Sequence, residues 1–160
     1  MRPSKIISGG QTGVDRASLD FAIERGIPWG GWAPKGWKAE DGTIPERYRE
    51  HMRECRGGYV ERTHRNVLMS TVTLIIIDRP LRHGSGSSMT MDYASKIGTD
   101  RGNIYAFRRV VPLDYSPAAM REWIETAGVD LSVVNVAGPR ESKAPGIYAA
   151  TLALLREVWP

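Results

Sequence analysis

Apolar positions along this chain fall into two kinds of run that take turns. Short unbroken runs lie over residues 5–8, 27–32, 72–77, 103–111 and 131–136, and each predicts a strand. The run at 72–77, VTLIII, is continuous and rich in β-branched residues, as expected of a strand covered on both faces of a parallel sheet. Between these runs, apolar residues recur at helical spacing. They predict helices over 14–25, 45–54 and 62–70, from Ser87 or Ser88 to Ile97, from Ser116 to Ala127, and from Ile147 to Val158. In the first helix Val14, Ala17 and Phe21 form a stripe that Leu19 and Ile23 widen, enough apolar surface to pack on a sheet.

Local signals punctuate the same segments. Gly26 is placed to end the first helix and is followed by Pro28; Gly98 and Gly128 do the same for later helices. Ser116-Pro117 is a good cap and first-residue pair, and Pro145 suits the first helical position of the last helix. Strand and helix thus alternate about five times. The pattern predicts an α/β Rossmann-like three-layer sandwich, a mostly parallel sheet of about five strands with helices on both faces, in one domain spanning 1–160. Right-handed crossovers put every strand-to-helix turn of such a sheet at one edge, so the glycine-rich turns should meet around one crevice.

Composition narrows the function classes. The longest apolar run is far too short to cross a bilayer and no secretion signal is visible at the start, so a cytoplasmic protein without membrane contact is expected. One cysteine, Cys55, permits neither an internal disulfide nor a thiolate metal site. The net charge is +4, but between Lys35 and Arg65 eight basic residues are interleaved with six acids. That stretch reads as a solvated face, against a polynucleotide track. His51, His64 and His83 have no ligand spacing, which predicts no metal site. Trp29, Trp32 and Trp37 read as packing residues before they read as stacking platforms.

Candidate chemistry collects in the turns. The first, SGGQTGVD over 8–15, offers backbone N–H groups of Gly9, Gly10, Gln11, Thr12 and Gly13 at a helix start, with Asp15 and Arg16 in the first helical turn. Such a turn attracts phosphate. It is neither GxGxxG nor the Walker pattern, which disfavours dinucleotide hydride transfer and P-loop ATP hydrolysis. Lys35 follows the second strand. The second turn holds Gly84, Ser85, Gly86 and Ser87; the third, AGPRESKAPG, holds Gly138, Arg140, Ser142 and Lys143. Asp15, Glu40 and Glu141 are the acids that could serve as general acid or base, should the site be catalytic. A phosphorylated small-molecule ligand is the expected partner. A nucleotide hydrolase and a single-stranded DNA binder are the rival readings.

The stretches ISGGQTGVDRASLDFAIERGIPWGGWAPKG, KAEDGTIPERY and NVAGPRESKAPGIY, joined by RTHRNVLMSTVTLII, resemble the molybdenum carrier proteins classed as the circularly permuted YpsA branch of the SLOG superfamily. The resemblance implies a Rossmann-like fold related to the lysine-decarboxylase-like proteins, which include phosphoribohydrolases. It also implies a homo-oligomer, with a nucleotide or the molybdenum cofactor as ligand. By motif it assigns binding to Gly9, Gly10, Thr12, Gly13, Asp15, Arg16, Lys35, Arg140, Ser142 and Lys143. The phosphoribohydrolases carry PGGxGTxxE, whose glutamate is important for hydrolysis. Here the turn reads SGGQTGVD with no GTxxE after it, which weighs against N-glycosidic hydrolysis.

Overall fold

The computed structural model describes residues 1–80, 83–100, 107–112 and 116–160. Its elements in chain order are β1 (Ile6–Ile7), α1 (Val14–Glu24), β2 (Trp29–Ala33), β3 (Lys38–Ala39), β4 (Gly42–Thr43), α2 (Glu46–Arg49), β5 (Met52–Glu54), α3 (Tyr59–Met69), β6 (Val72–Ile77), α4 (Gly86–Asp100), β7 (Phe107–Pro112), α5 (Pro117–Thr126), β8 (Val134–Ala137) and α6 (Ile147–Val158). Six strands form one parallel sheet in the order β5-β2-β1-β8-β6-β7, and β3 with β4 makes a small antiparallel hairpin.

The expected alternation is there, with one strand more in the parallel sheet than the hydrophobic runs revealed. The helix anticipated over 45–54 is confined to Glu46–Arg49. Only Tyr48 of those four residues is buried, too little apolar surface to extend a helix on the core. The chain then straightens into β5, which pairs with the edge of β2 through Gly31 and Met52. Of the strand expected over 103–111, residues 103–106 lie outside the described residues.

Alternation of side chains along the strands sorts the core. Ile6, Leu74, Ile76, Val134 and Val136 face one side, where they bury against Val14 and Phe21 of α1, Met120 and Ile124 of α5, and Ile147, Leu154 and Leu155 of α6. Helices α3 and α4 pack together and cover the opposite side. Register places Thr73 of β6 beside Asn135 of β8 there, and the Asn135 amide donates to the Thr73 hydroxyl at 3.3 Å.

Three local expectations are corrected. Ile23 does not widen the buried face of α1 and is 42% exposed. Nine residues after Val14 at 100° each, it points away from the stripe of Val14 and Phe21. Gly98 does not end its helix, since α4 continues to Asp100. Gly146, left-handed at φ 87°, is the residue that caps α6, so Pro145 stands before the cap and not at the first helical position.

Candidate functional site

From β1 the chain steps through α1 to β2, toward one edge of the sheet. From β6 it steps through α4 to β7, toward the other. These crossovers lie on opposite faces, and β8 sits between their strands. Such a switch point leaves a crevice at the carboxyl ends of the central strands. A cavity of about 510 Å³ opens there, bordered by the turns after β1, β6 and β8 and by the first residues of α3 and α4.

The first and last turns are closed on each other. Gly13 adopts φ 77°, and a Cβ there would stand 2.5 Å from the Pro139 carbonyl. Only glycine lets the two loops approach this closely. Glu40, from the β3–β4 hairpin, completes the closure. It accepts hydrogen bonds from the Thr12 hydroxyl and from both the hydroxyl and the backbone N–H of Ser142, the last at 3.1 Å. Desolvation opposes its charge, but these bonds and the Arg140 charge together hold the carboxyl below its ordinary value. Arg16 is engaged nearby, bidentate on Asp41 at 2.5 and 2.8 Å and on the Gly10 carbonyl at 3.2 Å. Glu141 caps α6 by accepting from Gly146 N–H at 2.5 Å and Tyr148 N–H at 3.0 Å.

Inside the cavity the first turn presents Gln11 and Asp15. Asp15 is fully buried. Desolvation pushes its carboxyl above the usual aspartate value, against the pull of Arg62 and of loop N–H groups. Its Oδ2 accepts from Gln11 N–H and from Arg62 Nη1, each at 3.2 Å. Arg62 reaches across Gly9, where any Cβ would collide with the guanidinium. The Gln11 side chain folds the other way, its Oε1 accepting from Thr12 N–H at 3.0 Å and Glu40 N–H at 2.9 Å.

The opposite wall is the start of α4. Ser85 caps it, its hydroxyl oxygen accepting from Ser88 N–H at 3.1 Å, while Gly86 and Ser87 border the cavity at the positive end of a fifteen-residue helix. Arg62, Arg79, Arg140 and Lys143 line the cavity with Asp15 and Asp78. Arg62 pairs with Asp15 and Arg79 with Asp78. Among the described residues, Arg140 and Lys143 make no ion pair; Arg140 lies 5.8 Å over the Tyr59 ring, which Arg62 flanks at 5.9 Å.

Of the residues singled out from the sequence, Gln11, Asp15, Ser85, Gly86, Ser87, Gly138, Arg140 and Lys143 border the cavity. Gly9, Gly10, Thr12, Gly13, Arg16 and Ser142 shape or close the loops around it. Gly84 turns at φ 78° before α4, and Lys35 lies elsewhere, its N–H on the Gly57 carbonyl at 2.8 Å. Of the three candidate acids Asp15 alone reaches the cavity, while Glu40 and Glu141 are engaged as described. Of the histidines, His64 stacks on Tyr93 with ring centroids 3.6 Å apart. Trp29 packs against both core clusters and Trp37 against the smaller one. Cys55 is buried.

Sequence reasoning missed Tyr59, Arg62 and Thr63, although topology offered a signal. A helix returning from the carboxyl edge to start a parallel strand begins at that edge, so the first turn of α3 had to lie there. Asp78 and Arg79, directly after the central strand, carried the same signal.

The circularly permutated YpsA SLOG family matches the chain over residues 6–159. A crystal structure described as a putative molybdenum carrier protein, from Syntrophus aciditrophicus SB, is 39% identical, with a TM-score of 0.86 over 100% of this chain and 98% of that one. No curated protein matches.

Proposed function

The chain belongs to the circularly permuted YpsA SLOG family, and from that premise we propose that its crevice binds a phosphorylated small molecule of nucleotide or molybdopterin type. The observation that carries this reading is the meeting of the α4 N-terminus with Arg140 and Lys143 at one cavity, two cations that form no salt bridge among the described residues. A helix N-terminus and two cations bordering one cavity suit a dianionic phosphate. The volume, about 510 Å³, suits a ligand with a ring system beyond the phosphate.

Among the described residues no three His, Cys, Asp or Glu side chains gather as a ligand set for a metal ion. The cavity is bordered mostly by nitrogen and hydroxyl groups, with the carboxylates of Asp15 and Asp78 each paired to an arginine, a lining that fits a phosphate and a heterocycle. A molybdenum-bearing cargo, as named for the Syntrophus protein, would be held here through its organic part, by Arg140, Lys143 and the α4 N-terminus at the phosphate.

Calorimetric titration with ribose 5-phosphate and with ribose tests the reading. Ribose 5-phosphate should bind at least tenfold more tightly, and more weakly as salt is raised. Equal affinity for both would remove the phosphate site.

A further inference from the structure

Helix α3 is amphipathic with its two faces partly exchanged. Two of its three buried residues, Thr63 and Asn66, are polar, beside Val67. Asn66 is satisfied there, because its amide engages both backbone groups of Trp32, accepting from the N–H at 2.8 Å and donating to the carbonyl at 3.0 Å. Apolar side chains stand outside instead. Of the six large apolar residues exposed among the described residues, four are Tyr59, Val60, Leu68 and Met69 of this one helix. Tyr59 borders the cavity, and Met69 takes the Trp32 indole N–H at 2.6 Å. That leaves Val60 and Leu68, 51% and 39% exposed. At 100° per residue Val60, His64 and Leu68 fall within about 80° of one another, and the His64 ring, midway along, stacks on Tyr93 of α4. Single apolar residues on a surface are ordinary, but a strip at helical spacing that runs onto a second helix marks a contact surface.

Charge selects what covers it. Along one flank of the strip Glu61 and Arg65 form an i,i+4 ion pair at 2.7 Å, both part-exposed. An acid and a base that neutralise each other offer no field to draw an acidic or a basic partner. They do complement their own reverse. When two copies of α3 lie antiparallel about a two-fold axis at His64, Val60 of each copy stands opposite Leu68 of the other. Glu61 then comes opposite Arg65, since the midpoint of that pair lies one residue, about 1.5 Å, from His64. We infer that the α3–α4 face is where two copies of this chain pair, with α3 antiparallel to itself, Val60 against Leu68 and Glu61 against Arg65. The cavity residues Tyr59 and Arg62 lie roughly 140° or more around the helix from His64, so pairing leaves the crevice free and does not depend on what binds there.

Sedimentation equilibrium of the full chain tests this. The chain should reach twice its monomer mass as concentration rises. Val60→Asp with Leu68→Asp puts carboxylates into the strip and should weaken association at least tenfold with an unchanged far-ultraviolet circular dichroism spectrum. Glu61→Arg and Arg65→Glu each set like charges against each other across the axis and should each weaken association severalfold. Mixed in equal amounts, these two variants should recover it, because each copy then meets the opposite sign. A wild-type chain that stays monomeric at every concentration would overturn the pairing. A dimer that survives the double substitution in the strip would overturn it too, by placing the contact on another face. Charge-swapped variants that do not recover association on mixing would overturn the antiparallel arrangement, and they decide the face even if the double variant does not fold.

Discussion

Helix α1 carries two well-covered aspartates, and their surroundings differ in one instructive respect. Asp20 is complete: its Oδ2 accepts from Tyr48 at 2.8 Å, Tyr148 at 2.7 Å and Arg47 at 3.1 Å, drawing α2 and α6 onto α1. Asp15 belongs to an incomplete set. It is held by Arg62 and the Gln11 N–H, yet the side chains of those same two residues keep buried donors without acceptors. A polar cluster whose members satisfy one another stabilises a fold, whereas buried donors left without acceptors cost stability. The comparison therefore assigns stability to the Asp20 end of α1, while the Asp15 end borders the cavity of the proposed site.

The largest effect expected is at the complete cluster. Asp20→Ala leaves two tyrosine hydroxyls and a guanidinium without their shared acceptor. It should lower stability by about 3 kcal/mol, read as a fall in Tm of roughly 6–12 °C for a chain of this size. Affinity for ribose 5-phosphate should stay within about twofold. A large loss of affinity alongside the loss of stability would show that the two ends of α1 are not separate devices.

The converse variant comes next. Arg140→Ala with Lys143→Ala removes two cations that make no ion pair among the described residues. Binding of ribose 5-phosphate should weaken at least tenfold, while Tm moves by no more than about 2 °C. Unchanged affinity in the folded double variant would exclude the third turn from the site.

How much of this contrast was legible beforehand differs between the two ends of α1. The three glycine-rich turns could be placed at one edge from alternation alone, and Gln11, Asp15, Ser85, Gly86, Ser87, Gly138, Arg140 and Lys143 do meet at one cavity. Periodicity gives direction along an element, and crossover handedness gives the edge. Neither gives partners. That Glu40 and Glu141 serve loop closure and helix capping depends on where the hairpin β3–β4 and Gly146 fall, which no spacing encodes. Arg62 stands at the start of the helix expected over 62–70, but the short edge strand β5 was hidden in a charged stretch, so nothing placed that helix start at the carboxyl edge of the sheet. The Asp20 cluster was illegible for the same reason: Asp20, Tyr48 and Tyr148 are brought together by packing of three elements far apart in the chain.

A smaller effect should appear at Glu40, which belongs to loop closure and tests whether the cavity depends on it. Its carboxyl titrates below the ordinary 4.5 in the folded chain. The ionised form is thus favoured by folding. Its contribution is present above about pH 4.5 and is lost as pH falls through the lowered folded value. Glu40→Gln should destabilise by about 1 kcal/mol at neutral pH, and acid should narrow the gap between variant and wild type in thermal unfolding. A constant gap from neutral pH to pH 3 would mean that the carboxylate charge is not what holds Thr12 and Ser142.

The smallest effect separates charge from packing within the complete cluster. Tyr48→Phe removes one of the three donors to Asp20 and should lower stability by roughly 0.5 kcal/mol at neutral pH. Its signature lies in alkali. Burial, and then the bond to Asp20 and its charge, push the Tyr48 hydroxyl well above the ordinary 10.0, and Tyr148 is raised by burial and the same carboxylate. Above pH 10 an unfolded tyrosine releases a proton that the folded chain retains. Stability supplied by these hydroxyls is therefore full below pH 10 and declines as pH rises beyond it. Phenylalanine has no proton to lose, so the variant should be the less stable protein at pH 8, and its disadvantage should shrink or reverse by pH 11. Parallel stability curves across that range would mean that Tyr48 holds α2 to α1 by its ring alone, and the completeness that distinguishes Asp20 from Asp15 would then rest on Tyr148 and Arg47.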